Sequence, residues 1–207
     1  MMKGYLSLYT SVWFGLFAMG QGGTVKINHW SDLRPVHVTL VDTHARGPVD
    51  AKVTVIEYGD YSCGYTTRME PIVRKVMRED QGQVRFVFVH HWLPAHRHAR
   101  LAAQIAIAAG LQGKFWEVHD MLFDKHFAAG PDGAIFEGYV PYLKTIPGLD
   151  IAKLRRDAES PEVNAMLDKE LASFRSTATP EFVINGRIFT GQMTEAQFQQ
   201  MIHEAAQ

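Results

Sequence analysis

The chain has only one cysteine, Cys63, among its 207 residues. A single cysteine excludes a disulfide within the chain and a metal site built from several cysteines. It leaves an inert buried thiol, a reactive thiol, or a thiol that pairs with another molecule, and a free cysteine is often just a small buried hydrophobic residue. The residues around Cys63 must therefore decide among these hypotheses.

An excess of charge of either sign is also missing. The 21 basic and 22 acidic residues give a formal net charge of -1, and neither sign forms a long run. A nucleic-acid-binding domain should have a basic face or stripe, so the composition argues against a nucleic-acid partner. Hydrophobic residues make up 46% of the chain and charged residues 21%, as in ordinary globular proteins. The length fits one domain, with room for a subdomain inserted into it.

A hydrophobic run long enough to cross a membrane comfortably is missing as well. The apolar run from Tyr5 to Met19 follows Lys3 and is shorter than the roughly 20 residues of a membrane helix. Ala18-Met19-Gly20 resembles a small-x-small cleavage site. We therefore predict that residues 1–23 are an export signal or a short membrane anchor, with an unstructured start as the alternative. A periplasmic, exported or membrane-anchored protein follows from this, and a cytoplasmic one from the alternative.

The first half of the remaining chain predicts a βαβ unit. Lys52–Tyr58 and Val84–Val89 are apolar and rich in β-branched residues, as buried strands are. Between them, apolar residues recur at helical spacing: Met69, Ile72, Val73 and Val76. The two strands should therefore be parallel, joined by a right-handed crossover. A further short strand is predicted at Val36–Val41.

The second half predicts a block of helices and then a hairpin. Residues 95–174 have no strand pattern, and helices are predicted at His98–Ala109, Lys114–Phe127, Phe136–Thr145, Ile151–Ala158 and Pro161–Phe174. Asn185-Gly186 suits a type I′ turn between two strands, Phe182–Ile184 and Arg187–Phe189, and Thr194 should cap a last helix, Glu195–Ala206. This layout predicts an α/β domain at 49–94 and 176–207, a helical subdomain at 95–175, and an N-terminal strand or linker at 24–48.

Cys63 lies where a buried parallel strand ends and a helix begins. The carboxyl ends of such strands are where α/β proteins place their sites. The first helical turn also has unpaired N–H groups and the positive end of the helix dipole, and both stabilise a thiolate. The position therefore favours a reactive thiol over an inert one.

Three segments resemble the DsbA-like family of thioredoxin-fold oxidoreductases. Val53–Thr67, with the sequence VTVIEYGDYSCGYTT, resembles the active-site segment of that family. The residues from His91 through Phe123 are similar to its inserted helical domain, and Ala178–Gly186 to its cis-proline loop and hairpin. The similarity covers about Val49 to Met201, and His44–Pro48 is similar to redox domains found both alone and fused to membrane antiporters. The resemblance implies a thioredoxin-like fold, a central mixed sheet flanked by helices, with an inserted all-helical subdomain.

The resemblance also implies roles for particular residues. Cys63 would be the attacking thiol, and Pro180 would be cis, leaving the backbone of Thr179 free to pair with an extended substrate. Glu57, six residues before Cys63, would be the acid that handles protons, although a plain strand-end carboxylate is the alternative. The expected partners are protein or peptide disulfides and thiols. Tyr61, Gly64 and Tyr65 around Cys63 are candidate substrate contacts, with simple packing as the alternative for the two tyrosines.

The sequence departs from the family at Thr66, which stands where the second active-site cysteine is expected. Exchange passes through a mixed disulfide, and Thr66 cannot resolve it, although its hydroxyl could donate a hydrogen bond to the Cys63 thiolate. A mixed disulfide on Cys63 must then wait for an external thiol, such as a partner's cysteine or glutathione as a co-substrate, and no bound cofactor is expected. Monothiol exchange, isomerisation and glutathionyl transfer remain open.

Three alternatives accompany this interpretation. The chain could be a catalytically degenerate thioredoxin-fold module that binds peptides. Cys63-Gly64-Tyr65-Thr66 also resembles the Cys-Gly-Phe-Ser motif of monothiol glutaredoxins, a weak signal. The lone thiol could link two chains, so that a disulfide-linked or non-covalent homodimer is a further hypothesis.

Four histidines lie within nine residues, His90, His91, His96 and His98. Adjacent residues on a strand face opposite sides, and residues two apart on a helix diverge, so these rings should not converge on a metal ion. We predict no metal site and a polar strand-to-helix junction, from which His91 or His96 could approach Cys63. Phe115, Trp116 and His119 are predicted to pack the inserted helices.

Overall fold

Six strands form one mixed sheet in the computed structural model, which describes residues 29–36, 44–80, 82–125, 131–174, 176 and 178–207. The strands are β1 (Arg34–Pro35), β2 (Ala45–Arg46), β3 (Val53–Gly59), β4 (Val84–His90), β5 (Glu181–Ile184) and β6 (Arg187–Thr190), in the order β1-β6-β5-β3-β4-β2. β3 and β4 are parallel, and the other neighbours are antiparallel. The predicted parallel βαβ unit is therefore confirmed.

Seven α-helices in the described part of the chain surround or extend this sheet. They are α1 (Gly64–Glu79), α2 (Ala99–Gly110), α3 (Phe115–Lys125), α4 (Phe136–Leu143), α5 (Ile151–Ala158), α6 (Pro161–Ser173) and α7 (Glu195–Ala205). The predicted cap of α7 is made, because the Thr194 side chain accepts from the N–H of Gln197. The Ser160 side chain caps α6 in the same way, accepting from the N–H of Val163. α2 to α6 lie between β4 and β5 in the chain, so the fold is thioredoxin-like with an all-helical insertion, as predicted.

Some predictions fall on residues that the structure does not describe. Most of the predicted strand Val36–Val41 lies in residues 37–43, and the predicted signal or anchor in residues 1–23 lies outside the described ranges. The proposed domain boundaries stay predictions. Within the described ranges, no helix has both the length and the apolar character that crossing a membrane requires.

Side-chain alternation gives the sheet two buried faces. One face carries Val55, Phe86, Phe88 and Phe182, which pack with residues of α1, α2, α3 and α7 in the main core. The other face carries a smaller apolar cluster: Ile56, Tyr58, Val87, Val89, Val183 and Ile188. Glu57 is paired with Phe88 and Phe182 in the register, so its carboxyl group projects into the main core.

Glu170 on α6 connects the helical insertion to β4 on this main-core face of the sheet. Its Oε2 accepts hydrogen bonds from the backbone N–H and the Nδ1 of His90 at 2.8 and 2.7 Å. Its Oε1 lies 3.0 Å from Nε2 of His44, whose ring stacks on Phe115. All three polar residues are buried. Burial alone would raise the pKa of Glu170, but the charges and hydrogen bonds of His90 and His44 outweigh it and hold that pKa well below its ordinary value.

Glu170→Ala is therefore expected to destabilise the fold by about 3 kcal/mol at pH 7, because it leaves buried donors unpaired. A carboxyl whose pKa is lowered by folding contributes stability that is present above its unfolded pKa of about 4.3 and lost as the pH falls through its folded pKa. Denaturant titrations should thus show the full difference in the free energy of unfolding between the wild type and Glu170→Ala at pH 7. This difference should shrink below about pH 4. Asp168→Ala is the matched control. Asp168 is an exposed acid on the same helix, and its ion pair with Arg100 is long, at 3.9 Å. An equal loss in both variants would contradict the anchoring role.

Candidate active site around Cys63

A hydrogen-bonded turn connects β3 to α1 and sets the position of Cys63. The carboxylate of Asp60 accepts from the backbone N–H of Ser62 at 2.7 Å, and its backbone carbonyl accepts from the N–H of Cys63 at 3.0 Å. The other carboxylate oxygen of Asp60 is hydrogen-bonded to Nδ1 of His96. Burial raises the pKa of Asp60, and the contacts with His96 and the Ser62 N–H oppose that rise. Asp60 and His96 thus stabilise the turn that positions Cys63 at the start of α1.

The sulfur of Cys63 meets the loop that contains Pro180. Cys63 is the N-cap residue of α1, and no side chain caps this helix start. Its Sγ donates a hydrogen bond to the carbonyl oxygen of Thr179 at 3.3 Å, and the Thr179–Pro180 peptide bond is cis. The residue is 5% exposed, so Cys63 is buried against this loop. The two segments that the sequence predicted to form the site, 116 residues apart, are therefore in contact.

The structure does not show the hydrogen bond that was expected from Thr66 to the sulfur. Thr66 is completely buried, and its hydroxyl has no hydrogen-bond partner. A Cβ added to Gly59 would lie 3.2 Å from its methyl group, so that methyl packs against the end of β3. The thiol of Cys63 instead has the carbonyl of Thr179 as its partner.

The residues around the cysteine divide into buried and exposed ones. The prediction that Tyr61 contacts a substrate is wrong, because Tyr61 is 1% exposed and its hydroxyl is 3.0 Å from Nδ1 of His119. Its ring packs against Phe88 and Phe123. Tyr65 is 56% exposed, and Gly64 is exposed beside it, so these two remain available to a ligand.

Glu57 is a fully buried acid whose two carboxyl oxygens have no hydrogen-bond partner. Burial raises the pKa of Glu57 well above its ordinary value. The negative charge of Glu70 raises it further, and so does that of an ionised Cys63, while the positive charge of Arg46 opposes them. Glu57 therefore holds a proton at a pH where an exposed glutamate has lost it.

Glu57→Gln is expected to stabilise the protein at neutral pH. A carboxyl whose pKa is raised by folding favours the folded state only below its unfolded pKa, and that contribution is lost as the pH rises through its folded pKa. The wild type should thus lose stability relative to the variant from about pH 4.3 upward, and the gap at pH 7 should exceed about 1 kcal/mol. Denaturant titrations between pH 4 and 8 measure this gap. A constant difference across that range would contradict the assignment.

A second buried acid was missed by the sequence analysis. Glu70 on α1 is 1% exposed, and its Oε1 accepts from Nε of Arg74 at 2.8 Å and lies 3.4 Å from Nε2 of His119. Burial alone would raise the pKa of Glu70, but His119 and Arg74 outweigh it and lower that pKa. The available signal was the position of Glu70 between Met69 and Val73, on the face of α1 that carries the core residues.

The histidines form separate polar contacts, a buried one at His90 and part-buried ones at His91 and His96. His90 contacts Glu170, His96 contacts Asp60, and the ring of His91 lies 3.1 Å from the carbonyl of Ser176. His96 therefore supports the turn before Cys63 without contacting the sulfur. His119 and Phe115 are buried in the core, as predicted, and Trp116 packs against its edge.

Two groups of side chains, buried except for the partly exposed Asp120, carry atoms of the kind that bind metals. They are His44, His90 and Glu170, and Glu70, His119 and Asp120, with ligand atoms within 4.8 Å of one another. In each group the glutamate already accepts hydrogen bonds from a histidine or an arginine. Both groups thus have the geometry of buried ion pairs.

Comparison with known proteins agrees with this arrangement. Residues 39–204 match the family model described as Thioredoxin. The chain is 38% identical over 148 residues to the Na+/H+ antiporter NhaA 1 of Salinispora arenicola, covering 70% of this chain and 22% of that protein. It is 34% identical over 151 residues to the NhaA antiporter of Herminiimonas arsenicoxydans, covering 72% and 23%. The chain thus spans under a quarter of the length of these relatives.

Solved structures agree as well. A thioredoxin-like oxidoreductase from Silicibacter pomeroyi is 28% identical with a TM-score of 0.65, covering 81% of this chain and 98% of that one. DsbA2 of Pseudomonas aeruginosa is 25% identical with a TM-score of 0.64, covering 79% and 94%. BdbD of Bacillus subtilis, 20% identical with a TM-score of 0.68 over 84% and 98%, shares the fold. With the family match extending over most of its length, the chain belongs to the thioredoxin family and shares the fold of DsbA-like proteins.

Proposed function

We propose that the protein is a monothiol thiol–disulfide oxidoreductase or isomerase that acts on protein or peptide disulfides through Cys63. One observation carries the proposal: the sulfur of Cys63, at the start of α1, lies 3.3 Å from the carbonyl of Thr179 beside Pro180. This joins a nucleophile at a helix N-terminus, which favours a thiolate, to a loop whose backbone can hold an extended substrate.

The reaction has two exchange steps. The Cys63 thiolate attacks one sulfur of a substrate disulfide, a mixed disulfide forms, and the other substrate sulfur leaves as a thiolate. An external thiolate then attacks the mixed disulfide and releases either Cys63 or the substrate sulfur. The attacking thiolate of the second step must belong to another molecule, because Cys63 is the only cysteine of the given sequence.

Neighbouring residues have supporting roles in this proposal. Glu57, protonated and buried beneath the site, gives up or takes a proton as the charge on Cys63 changes. This role fits the effect of the cysteine's charge, since an ionised Cys63 raises the pKa of Glu57. Gly64 and Tyr65 are exposed and border the substrate, while Thr66 fills the position of a resolving cysteine without its chemistry.

We also propose an exported or membrane-attached setting for this domain. The relatives named as Na+/H+ antiporters are much longer than the stretch that matches this chain, which favours a domain that also occurs joined to a transporter. Outside the reducing cytosol, mixed disulfides on Cys63 would persist until a thiol removes them. A homodimer stays a separate hypothesis, and non-reducing electrophoresis tests its disulfide-linked form.

A peptide-binding module without catalysis is the second candidate. It is favoured by the low exposure of Cys63, at 5%, together with the missing second cysteine. In that case an extended peptide would bind beside Thr179 and Pro180 while the thiol stays idle.

Turnover with and without an external thiol tests the oxidoreductase proposal. The protein should accelerate the reduction of a protein disulfide when glutathione is present, and without glutathione it should stop after one mixed disulfide per chain. Intact-mass measurement after alkylation identifies that adduct. Rates equal to glutathione alone, with no adduct on Cys63, would reject the proposal and leave the module.

A further inference from the structure

Arg68 lies beside the reactive cysteine and has no acidic partner within the described ranges. It is exposed on α1, and its guanidinium carbon lies 4.6 Å from the ring centre of Tyr65. Its Nη1 is 3.6 Å from the place that a Cβ would occupy on Gly64, the residue directly after Cys63. The guanidinium therefore folds back toward the start of the helix, where Cys63 is.

The acids near Arg68 are already engaged elsewhere. Among the residues that the structure describes, Arg68 forms no ion pair, and the first turn of α1 contains no acid. Asp60 is bound to His96 and the Ser62 N–H. Two other acids, Glu70 and Asp124, contact Arg74 at 2.8 and 2.7 Å. The positive charge of Arg68 is thus left for a ligand.

A groove extends from Arg68 along α1. A cavity of about 400 Å³ lies between α1 and α3, and Thr67, Arg68, Pro71 and Phe123 line it, together with Glu70, Arg74 and Asp124. Its lining includes Thr67, whose hydroxyl donates to the backbone carbonyl of Cys63 at 3.1 Å, so the groove starts one helical turn from the cysteine.

We propose that Arg68, stacked on Tyr65, binds a carboxylate of the small anionic thiol that attacks the mixed disulfide on Cys63. The inference rests on the proposed function, because only a monothiol enzyme needs such a co-substrate. A guanidinium group presents paired donors that match a carboxylate, and the helix start adds a favourable field for an anion. The chemistry selects carboxylate-bearing thiols such as glutathione over neutral or cationic ones.

A neutral reporter on the cysteine isolates this step. Cys63 is first converted to its mixed disulfide with 2-thiopyridine. An incoming thiolate then attacks Sγ of Cys63, a new S–S bond forms, and the old one breaks. The thiopyridine sulfur leaves with the electron pair and takes up a proton, giving thiopyridone, which is followed by stopped-flow absorbance. The release rates with glutathione, its diethyl ester and 2-mercaptoethanol are compared. Each rate is divided by the rate at which the same thiol reacts with a small pyridyl disulfide free in solution.

In the wild type, glutathione should react about fivefold faster than its diester at low ionic strength, and the preference should fall below about twofold at 1 M salt, where charges are screened. Arg68→Gln should remove the preference, and Arg68→Glu should reverse it, while 2-mercaptoethanol changes less than about twofold. Arg78→Gln is the matched control, an exposed arginine in the last turn of the same helix. It should keep the wild-type preference.

The outcomes separate the two proposals. If glutathione and its diester react equally in the wild type, or if Arg68→Gln keeps the full preference, the carboxylate site is wrong. If Cys63 cannot be converted to the pyridyl disulfide, or no thiol releases thiopyridone, the proposed function itself fails.

Discussion

Cys63→Ser is expected to abolish thiol–disulfide exchange while slightly stabilising the fold. Serine cannot form a disulfide, so turnover should fall to the background of glutathione alone. Cys63 is the N-cap of α1 and makes no side-chain cap hydrogen bond. Serine is a preferred N-cap residue, because its hydroxyl accepts from the N–H groups of the first turn, and the gain should be about 0.5–1 kcal/mol.

Two measurements on the same samples test this combination: glutathione-dependent reduction of a protein disulfide, and denaturant unfolding. Cys63→Ala is the companion variant, since it removes the thiol without adding a cap. It should be equally inactive but no more stable than the wild type. Activity lost together with a large loss of stability in both variants would mean that the thiol matters for packing rather than for chemistry.

The same variants separate the enzyme from the binding module. A module would keep its peptide affinity and its biological activity in Cys63→Ser and Cys63→Ala. The oxidoreductase would keep at most the peptide affinity. Full biological activity of both variants would therefore overturn the proposed function, whatever their stability.

The elements of the fold could be predicted because their signals are local. β3 and β4 are runs of β-branched and aromatic residues, α1 has apolar residues at helical spacing, and Asn185-Gly186 adopts the positive φ angles that a type I′ turn requires. Each of these patterns lies within a few neighbouring residues. Element ends differ by a residue or two, because terminal turns depend on contacts that the pattern does not contain.

The site was predicted less completely because burial near Cys63 is decided by distant residues. Tyr61 has the same sequence context whether it faces a substrate or the core, and its partner His119 is 58 residues away. Glu170 is 80 residues from His90, so nothing local identifies it as the anchor of the insertion. The approach of Cys63 to Thr179, in contrast, followed from the family resemblance.

Thr66→Cys is expected to make the release of mixed disulfides independent of any external thiol. Positions 63 and 66 lie three apart at the start of α1, and this spacing places their side chains next to each other on the same side of the helix. A thiol held at an effective concentration of even about 1 M would outpace glutathione at about 1 mM by roughly a thousandfold, and well-oriented groups reach much higher values. The variant should fold, because the buried Thr66 hydroxyl has no partner to lose and cysteine buries readily.

Stopped-flow release of thiopyridone from Cys63, without added thiol, measures this gain, and the product should be 2 Da lighter than the dithiol form, as a new disulfide requires. Arg78→Cys carries the same number of thiols at the far end of the same helix and should show no such release. If Thr66→Cys behaves like Arg78→Cys, the side chain at position 66 does not point at the sulfur, and the monothiol interpretation loses its geometric basis. If it releases its adduct unaided, one hydroxyl group in place of one thiol is what makes this protein depend on an outside reductant.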